Sequence, residues 1–276
     1  MELALPVGEL AMLAGLLILG GAIAGTLSGL FGVGGGGILV PVLYELFGAM
    51  GTPDDVRMHI AVGTSFAIIV PTSFRAARSH YKRASIDMPI LRLLASWAVV
   101  GVVLGAITAK YANGDAMKIV WVVSACILSI SLLLKEEILQ FKADVGKPAI
   151  GAPIGAGIGL IATLMGVGGG AQIAILLRMF GRAIHVAVGT AAGFSAIIAV
   201  PALLGFIWAG WGSDGLPVGS LGYVSLIGAG AMIPASVLFA PLGVRLAHGL
   251  PRRKLEVVFA LFLLLVGFRF LMALVY

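Results

Sequence analysis

The chain states one pattern twice. Gly32-Val33-Gly34-Gly35-Gly36 returns as Gly166-Val167-Gly168-Gly169-Gly170, and Phe47-Gly48 returns as Phe180-Gly181. His59-Ile60-Ala61-Val62-Gly63-Thr64 returns as His185-Val186-Ala187-Val188-Gly189-Thr190. Upstream, Gly21 and Gly25 match Gly155 and Gly159 at the same offset as the glycine run. Landmarks repeated in one order mark a duplicated unit. Both copies are strongly apolar, so the pattern predicts a membrane protein assembled from two related modules, the construction plan of many transporters.

Composition limits where such a chain can live. Apolar residues are 60% and charged residues 11% of the sequence, against roughly 25% charged in an ordinary soluble domain. Uncharged runs cover 10–44, 148–177, 186–213 and 215–244, each long enough for a bilayer, which needs about 20 apolar residues. Shorter runs at 58–74, 93–109 and 119–134 are credible spans as well. Ten segments would use most of the 276 residues and leave no room for a soluble domain. The N-terminus lacks the basic flank of a cleaved signal peptide and reads as the approach to a first span. Cys126, the single cysteine, excludes a disulfide within the chain and a multi-cysteine metal site. Glycine, at 40 residues, suits close helix crossings, as at Gly21, Gly25 and Gly29 or Gly151, Gly155 and Gly159.

Charge placement reports orientation rather than affinity for nucleic acid. Arg75, Arg78, Lys82 and Arg83 crowd one loop; Arg245, Arg252, Arg253 and Lys254 crowd another. With both loops cytoplasmic, only Arg57, Lys110, Lys118 and Arg269 of the 18 Lys and Arg fall outside, and so do both termini. The stretch 212–220, equivalent to the basic 75–87, has no basic residue, while 110–118 is nearly neutral against the basic 245–254. Equivalent loops with opposite bias require an odd number of crossings per half. The expectation is an all-α polytopic membrane protein of two inverted repeats, 1–140 and 141–276, with five segments each: 8–31, 33–48, 57–75, 88–109 and 117–135, then 149–166, 167–181, 185–211, 219–245 and 254–275. The first two segments of each repeat either span or form a re-entrant hairpin.

The glycine runs match the dinucleotide pattern G-x-G-x-x-G, but they lie inside apolar membrane segments without the strand, helix and acid that the fingerprint needs. They read instead as helix breaks. Consecutive glycines are poor helix formers, and broken backbone is tolerated at depth only where protein or a cavity satisfies it. A half-helix N-terminus offers N–H groups and a dipole to an anion. The candidate substrate-binding residues are therefore Gly34, Gly35, Gly36 and Gly37 in the first copy and Gly168, Gly169 and Gly170 in the second. Gln172 adds an amide donor. The hydroxyls of Thr64, Ser65 and Thr190 stand just after the repeated Ala-Val-Gly, and Thr26 and Ser28 precede the first glycine run. His59 and His185 are candidates for proton transfer or gating, and Arg75 and Arg78 for drawing an anion to a cytoplasmic mouth. Each has a plainer reading: glycines as packing surface, hydroxyls bonded back to their own helix, histidines at interfaces, arginines as topology signals. No mid-span carboxylate pair, catalytic triad, zinc ligand set or Walker motif stands out, so neither an enzyme nor a cofactor is expected.

At these residues the chain resembles the sulfite exporter TauE/SafE family. Family modules open on a G-x-G-G-G run and continue to A-V-G-T-S; here these are Gly32–Gly36 with Ala61-Val62-Gly63-Thr64-Ser65, and Gly166–Gly170 with Ala187-Val188-Gly189-Thr190. Ser79-His80-Tyr81-Lys82-Arg83 with Ile86-Asp87, and Gly243-Val244-Arg245-Leu246-Ala247 with Leu250-Pro251, resemble the family's basic loop and closing segment. Ala191 stands where the second module usually has serine, and Gln172 where an apolar residue is usual. The resemblance implies export or uptake of sulfite, sulfonates or related sulfur oxyanions across a plasma membrane. Expected partners are a small anionic substrate, membrane lipid and a second copy of the chain, with no nucleic acid. The rival expectations are a small-anion channel and a non-transporting scaffold subunit.

Overall fold

The computed structural model describes residues 7–31, 36–134, 144–248 and 251–275. Ten helices run through them: α1 (Val7–Phe31), α2 (Gly36–Ala49), α3 (Asp54–Lys82), α4 (Met88–Tyr111), α5 (Gly114–Leu133), α6 (Pro148–Met165), α7 (Gly170–Met179), α8 (Ile184–Ala209), α9 (Leu226–His248) and α10 (Arg252–Val275). A two-residue antiparallel ladder, β1 (Ser220–Leu221) on β2 (Val224–Ser225), precedes α9. Seven helices, α3 to α6 and α8 to α10, are long and apolar enough to cross a bilayer. The chain is a helical, multi-pass membrane protein. At 1.5 Å per residue, the 14 residues of α2 and the 10 of α7 rise only about 21 and 15 Å, short of the roughly 30 Å hydrocarbon layer.

Local chemistry sets the helix ends. Asp87 caps α4 by accepting from the Ile90 N–H at 3.3 Å, and Asn113 caps α5 by accepting from Ala116 at 2.8 Å. Pro148 opens α6, where its missing N–H costs nothing. Gly166, with φ at 70°, closes it.

Three boundaries differ from the sequence expectation. α3 continues past 75 to Lys82, so Arg75 and Arg78 stand on its last turns and the loop shrinks to 83–87. Its 29 residues rise about 43 Å, so a polar end clears the hydrocarbon layer and can stay helical. Thr52-Pro53-Asp54-Asp55 reads as a cap, a first-turn proline and first-turn acids, but Pro53 itself occupies the cap of α3, while the Thr52 hydroxyl is buried without a partner among the described residues. The stretch from 219 forms the hairpin, because Gly219 and Gly222, with φ of 76° and 54°, turn the chain before α9 begins.

Packing partners exchange when the elements are shifted by five. α1 lies along α9 as α6 lies along α4, while α3 meets α8 and α5 meets α10. The glycine stripes make the first two contacts. A Cβ on Gly21 would lie 2.9 Å from the Met232 carbonyl oxygen, and one on Gly25 would lie 2.4 Å from that of Ser236. Likewise Gly155 abuts the Leu94 carbonyl and Gly159 the Ala98 carbonyl, at 2.5 and 2.2 Å. Contacts ascend together along both chains, so each pair runs parallel. Apolar burial gains nothing on leaving lipid for protein, so close backbone contact of this kind holds membrane helices together.

Gly25→Val and Gly159→Val would drive a branched side chain into a facing backbone. Each should lower thermal stability in detergent by about 1–3 kcal/mol. Gly15→Ala and Gly157→Ala, which would meet nothing within 4 Å, should leave the unfolding temperature within error of wild type.

Candidate functional site

The second glycine run breaks the helix. Gly166, Gly168 and Gly169 all take positive φ, at 70°, 68° and 71°, a region that L side chains rarely occupy. α7 restarts at Gly170. The N–H groups of Gly170, Ala171 and Gln172 lie in its first turn, where no intrahelical carbonyl reaches them; they make no hydrogen bond to any described group. The break also meets the start of the first repeat's short helix: a Cβ on Gly36 would fall 2.3 Å from the Val167 Cα.

A cavity of about 1000 Å³ opens beside this break. Each wall is one face of a helix. α7 contributes Gly170, Ala171, Ala174, Ile175 and Arg178; α8 contributes Ile184, Val188, Ala191, Ala192 and Ser195; α3 contributes Ile68, Thr72, Arg75, Ala76, Ser79 and His80. These spacings of three and four are those of a single helical face. α1 adds Ala24, Gly25 and Ser28, α9 adds Ser236 to Arg245, and α10 adds Leu255, Glu256 and Phe259. Gly170, Ser195 and Ile68 are the buried end of the lining, and Arg75 and Ser79 the exposed end; α3 rises about 18 Å from Ile68 to His80.

Charge is concentrated at the mouth. Arg75, Arg178 and Arg245 line it against one acid, Glu256, among the described residues, with His80 beside them. Arg178 Nη1 lies 3.3 Å from Glu256 Oε1, and Arg253 lies 3.5 Å from the other oxygen. The imbalance leaves a positive field over an otherwise apolar chamber, which draws anions. Toward the opposite end of the molecule the helices are sealed. Phe66 meets Phe206 at 6.0 Å, His59 lies on Tyr223 at 4.8 Å, and Phe270 takes Tyr44 and Trp121 edge-on at 4.9 Å each. Lys118, fully buried, holds Asp54 at 2.6 Å and Asp115 at 3.2 Å, and the Tyr44 hydroxyl donates to Asp54 at 2.9 Å.

Of the residues predicted from the sequence, Gly170, Arg75 and Ser28 line this cavity. Gly34 and Gly35 lie outside the described residues. Gly37 faces Phe259 and Leu263 instead. Gly168 and Gly169 shape the break behind the cavity wall, against Ile69 and Phe194. Gln172 lies off the cavity face of α7; its Nε2 sits 3.7 Å from the Met165 sulfur and its oxygen is buried without a described partner. Arg78 is exposed on the far side of α3. Thr26 bonds back to the Ala22 carbonyl at 2.8 Å.

The repeated threonines do mechanical work. The Thr64 hydroxyl accepts from the Ser225 N–H, and that of Thr190 from the Asp87 N–H, both at 2.9 Å. Ser225 and Asp87 are the residues just ahead of α9 and α4, and each side chain accepts a bond from three residues on, at Gly228 and Ile90. Gly63 and Gly189 let the chains close, with carbonyls of Tyr223 and Ser85 where a Cβ would stand. Ser65 donates to Val62 at 2.6 Å and to Gly166 at 2.8 Å, tying α3 to the break.

The histidines leave the cavity to a third. His59 Nε2 lies 3.1 Å from the carbonyls of Ala109 and Ala112; both accept only, so that nitrogen carries the proton and latches the end of α4. His185 is exposed at the start of α8. His80, quoted in the sequence only as part of the basic stretch 79–83, lines the mouth with Nδ1 3.1 Å from the Ser85 hydroxyl.

The protein-family model described as sulfite exporter TauE/SafE matches residues 17–270. A "probable membrane transporter protein" of Haemophilus influenzae is 33% identical over 91% of this chain and 96% of its own length. The Bacillus subtilis "probable membrane transporter protein YunE" is 25% identical, covering 91% of this chain and 95% of itself. A similarly named protein of Methanocaldococcus jannaschii is 26% identical over 94% and 96%. No solved structure matches the chain.

Thr64→Val and Thr190→Val keep shape and delete an acceptor for a buried N–H. Each should cost about 1–3 kcal/mol, read as a lower unfolding temperature, and the double variant should lose the sum because the two sites share no partner.

Proposed function

The chain belongs to the sulfite exporter TauE/SafE family of membrane transporters, and on that premise we propose that it is a secondary transporter of a small sulfur oxyanion, a sulfite or an organosulfonate, working by alternating access. The observation that carries this reading is the one-ended cavity, with arginines at its mouth and the unpaired first turn of α7 at its closed end. A chamber open to one end and sealed at the other is one of the two states that alternating access requires. Charge-assisted hydrogen bonds are each worth about 1.5–3 kcal/mol, so a few first-turn amides offset much of an anion's desolvation.

Two inverted repeats, 1–140 and 141–276, supply the second state in this reading. The exchange of packing partners supports them, as does the route of α6 and α7. Arg182, just past α7, lies 3.9 Å from Asp144, just before α6; a pair that starts and finishes at one end behaves as a re-entrant hairpin. The equivalent α1 and α2 form the second such pair, entering from the other end, and leave three crossings in each repeat. Swapping the conformations of the repeats would close the arginine mouth and open the face now held by Lys118 and Asp54. The mouth is taken as cytoplasmic and the termini as external in a plasma membrane, following the lysine and arginine bias. An interior-negative potential is worth about 2.3 kcal/mol per charge per 100 mV, so it drives anions outward unaided, which makes export the expected direction.

Purified protein in liposomes should exchange sulfite or sulfoacetate across the bilayer faster than sulfate or chloride; flux of no sulfur oxyanion would refute the assignment. Arg75→Gln with Arg245→Gln should slow uptake from the mouth side about tenfold at low ionic strength, with the difference fading as salt screens the mouth.

A further inference from the structure

The closed end of the cavity holds a hydroxyl without a partner. Ser195, on α8, is 5% exposed and lines the cavity. It makes no hydrogen bond to any described group, although the buried serines and threonines at 64, 65, 129, 163 and 190 all have one. Its oxygen opens onto the cavity and is free to bond a ligand there. Ser195 is aimed at the start of α7: a Cβ on Gly170 would stand 2.7 Å from its oxygen. Only glycine leaves room between that hydroxyl and the first-turn N–H groups. The positive end of the α7 dipole adds to the same point.

The feature belongs to one repeat alone. In the register that aligns His59 with His185, Ile69 stands where Ser195 does, and Ile69 is fully buried against Gly168. The duplicated sequence therefore offers two glycine runs but, at this position, one hydroxyl. No carboxylate lines this end of the cavity among the described residues; the acid of the cavity wall, Glu256, is tied to Arg178 at the mouth.

We propose that Ser195 and the first-turn amides of Gly170 to Gln172 form the seat for the oxyanion head of the cargo, with Ser195 as a specificity-determining residue. This rests on the transporter reading above. A head with several acceptor oxygens, sulfite or a sulfonate, engages the hydroxyl and the amides together. A spherical halide has no second atom to offer. The organic part of a sulfonate lies back along Ala174 and Ile175 toward the mouth.

Sulfite, sulfoacetate and chloride binding to the detergent-purified full chain, measured by calorimetry, tests the seat. Ser195→Ala should weaken sulfite and sulfoacetate about tenfold, the equivalent of one hydrogen bond to a charged group, and leave chloride unchanged. Gly170→Ala should abolish binding, and Ser96→Ala, on the exposed face of α4, should match wild type. A wild-type measurement stands beside the variants: sulfite should slow amide hydrogen exchange in 166–175 and leave 38–47 unaffected. If wild type binds and moves sulfite while both variants bind as it does, or exchange in 166–175 is unmoved, the seat is wrong and the transporter reading survives. If wild type neither binds nor moves any of the sulfur anions, both fall.

Discussion

A backbone N–H in hydrocarbon has no water to turn to, and the rest of this structure follows from where that demand is left unmet. Beyond its first turn, a long helix satisfies its amides from its own carbonyls. The break at Gly166–Gly169 does not: it restarts a helix at Gly170 whose first turn has no described acceptor. Such a defect survives inside a membrane protein only beside a cavity or a compensating group. The cavity supplies the space, and arginines line its mouth. The same constraint that makes helices obligatory in lipid thus marks, among the described residues, the break where amides are left to face a cavity, as the proposed anion site requires.

Holding a break in place requires rigidity around it, and the duplicated motif provides it from both sides. Gly63-Thr64 seizes the chain ahead of α9, and Gly189-Thr190 seizes the chain ahead of α4, with equal bond lengths of 2.9 Å. Ser65 reaches from α3 to the Gly166 carbonyl at 2.8 Å. Glycine stripes on α1 and α6 bring the fourth helices into backbone contact. These joints link opposite halves rather than neighbours in sequence, so a rearrangement of one half must be felt by the other. That coupling is what a transporter exchanging two accessible states needs.

Much of this architecture was legible in the sequence. Hydropathy and punctuation located the ten helices, because a bilayer imposes length and apolarity on each span. The glycine run at 166–170 identified the break, because so many glycines have no other use in a helix. Legibility ended at side-chain direction. Thr64 and Thr190 read as binding groups because they close the repeated Ala-Val-Gly motif, yet each points at a backbone N–H of the opposite half, a partner more than 100 residues away in sequence. Gln172 looked attractive as the lone amide near the run, but it falls on the face of α7 turned from the cavity. Ser195 went unseen, since a serine in an apolar run carries no motif, and His80 stood in the sequence only as a member of the basic stretch 79–83. Only the stripe Ile184, Val188, Ala191, Ala192 and Ser195, read as one face of α8, could have pointed to the first of them.

The most direct test of the account is to see the anion. Selenite, a heavier congener of sulfite, can be located by anomalous scattering in crystals of the full chain. The account predicts one selenium peak at the closed end of the cavity, within hydrogen-bond reach of the α7 first turn and Ser195. An unbroken helix through 165–170, or selenium bound only at the outer arginines, would contradict it.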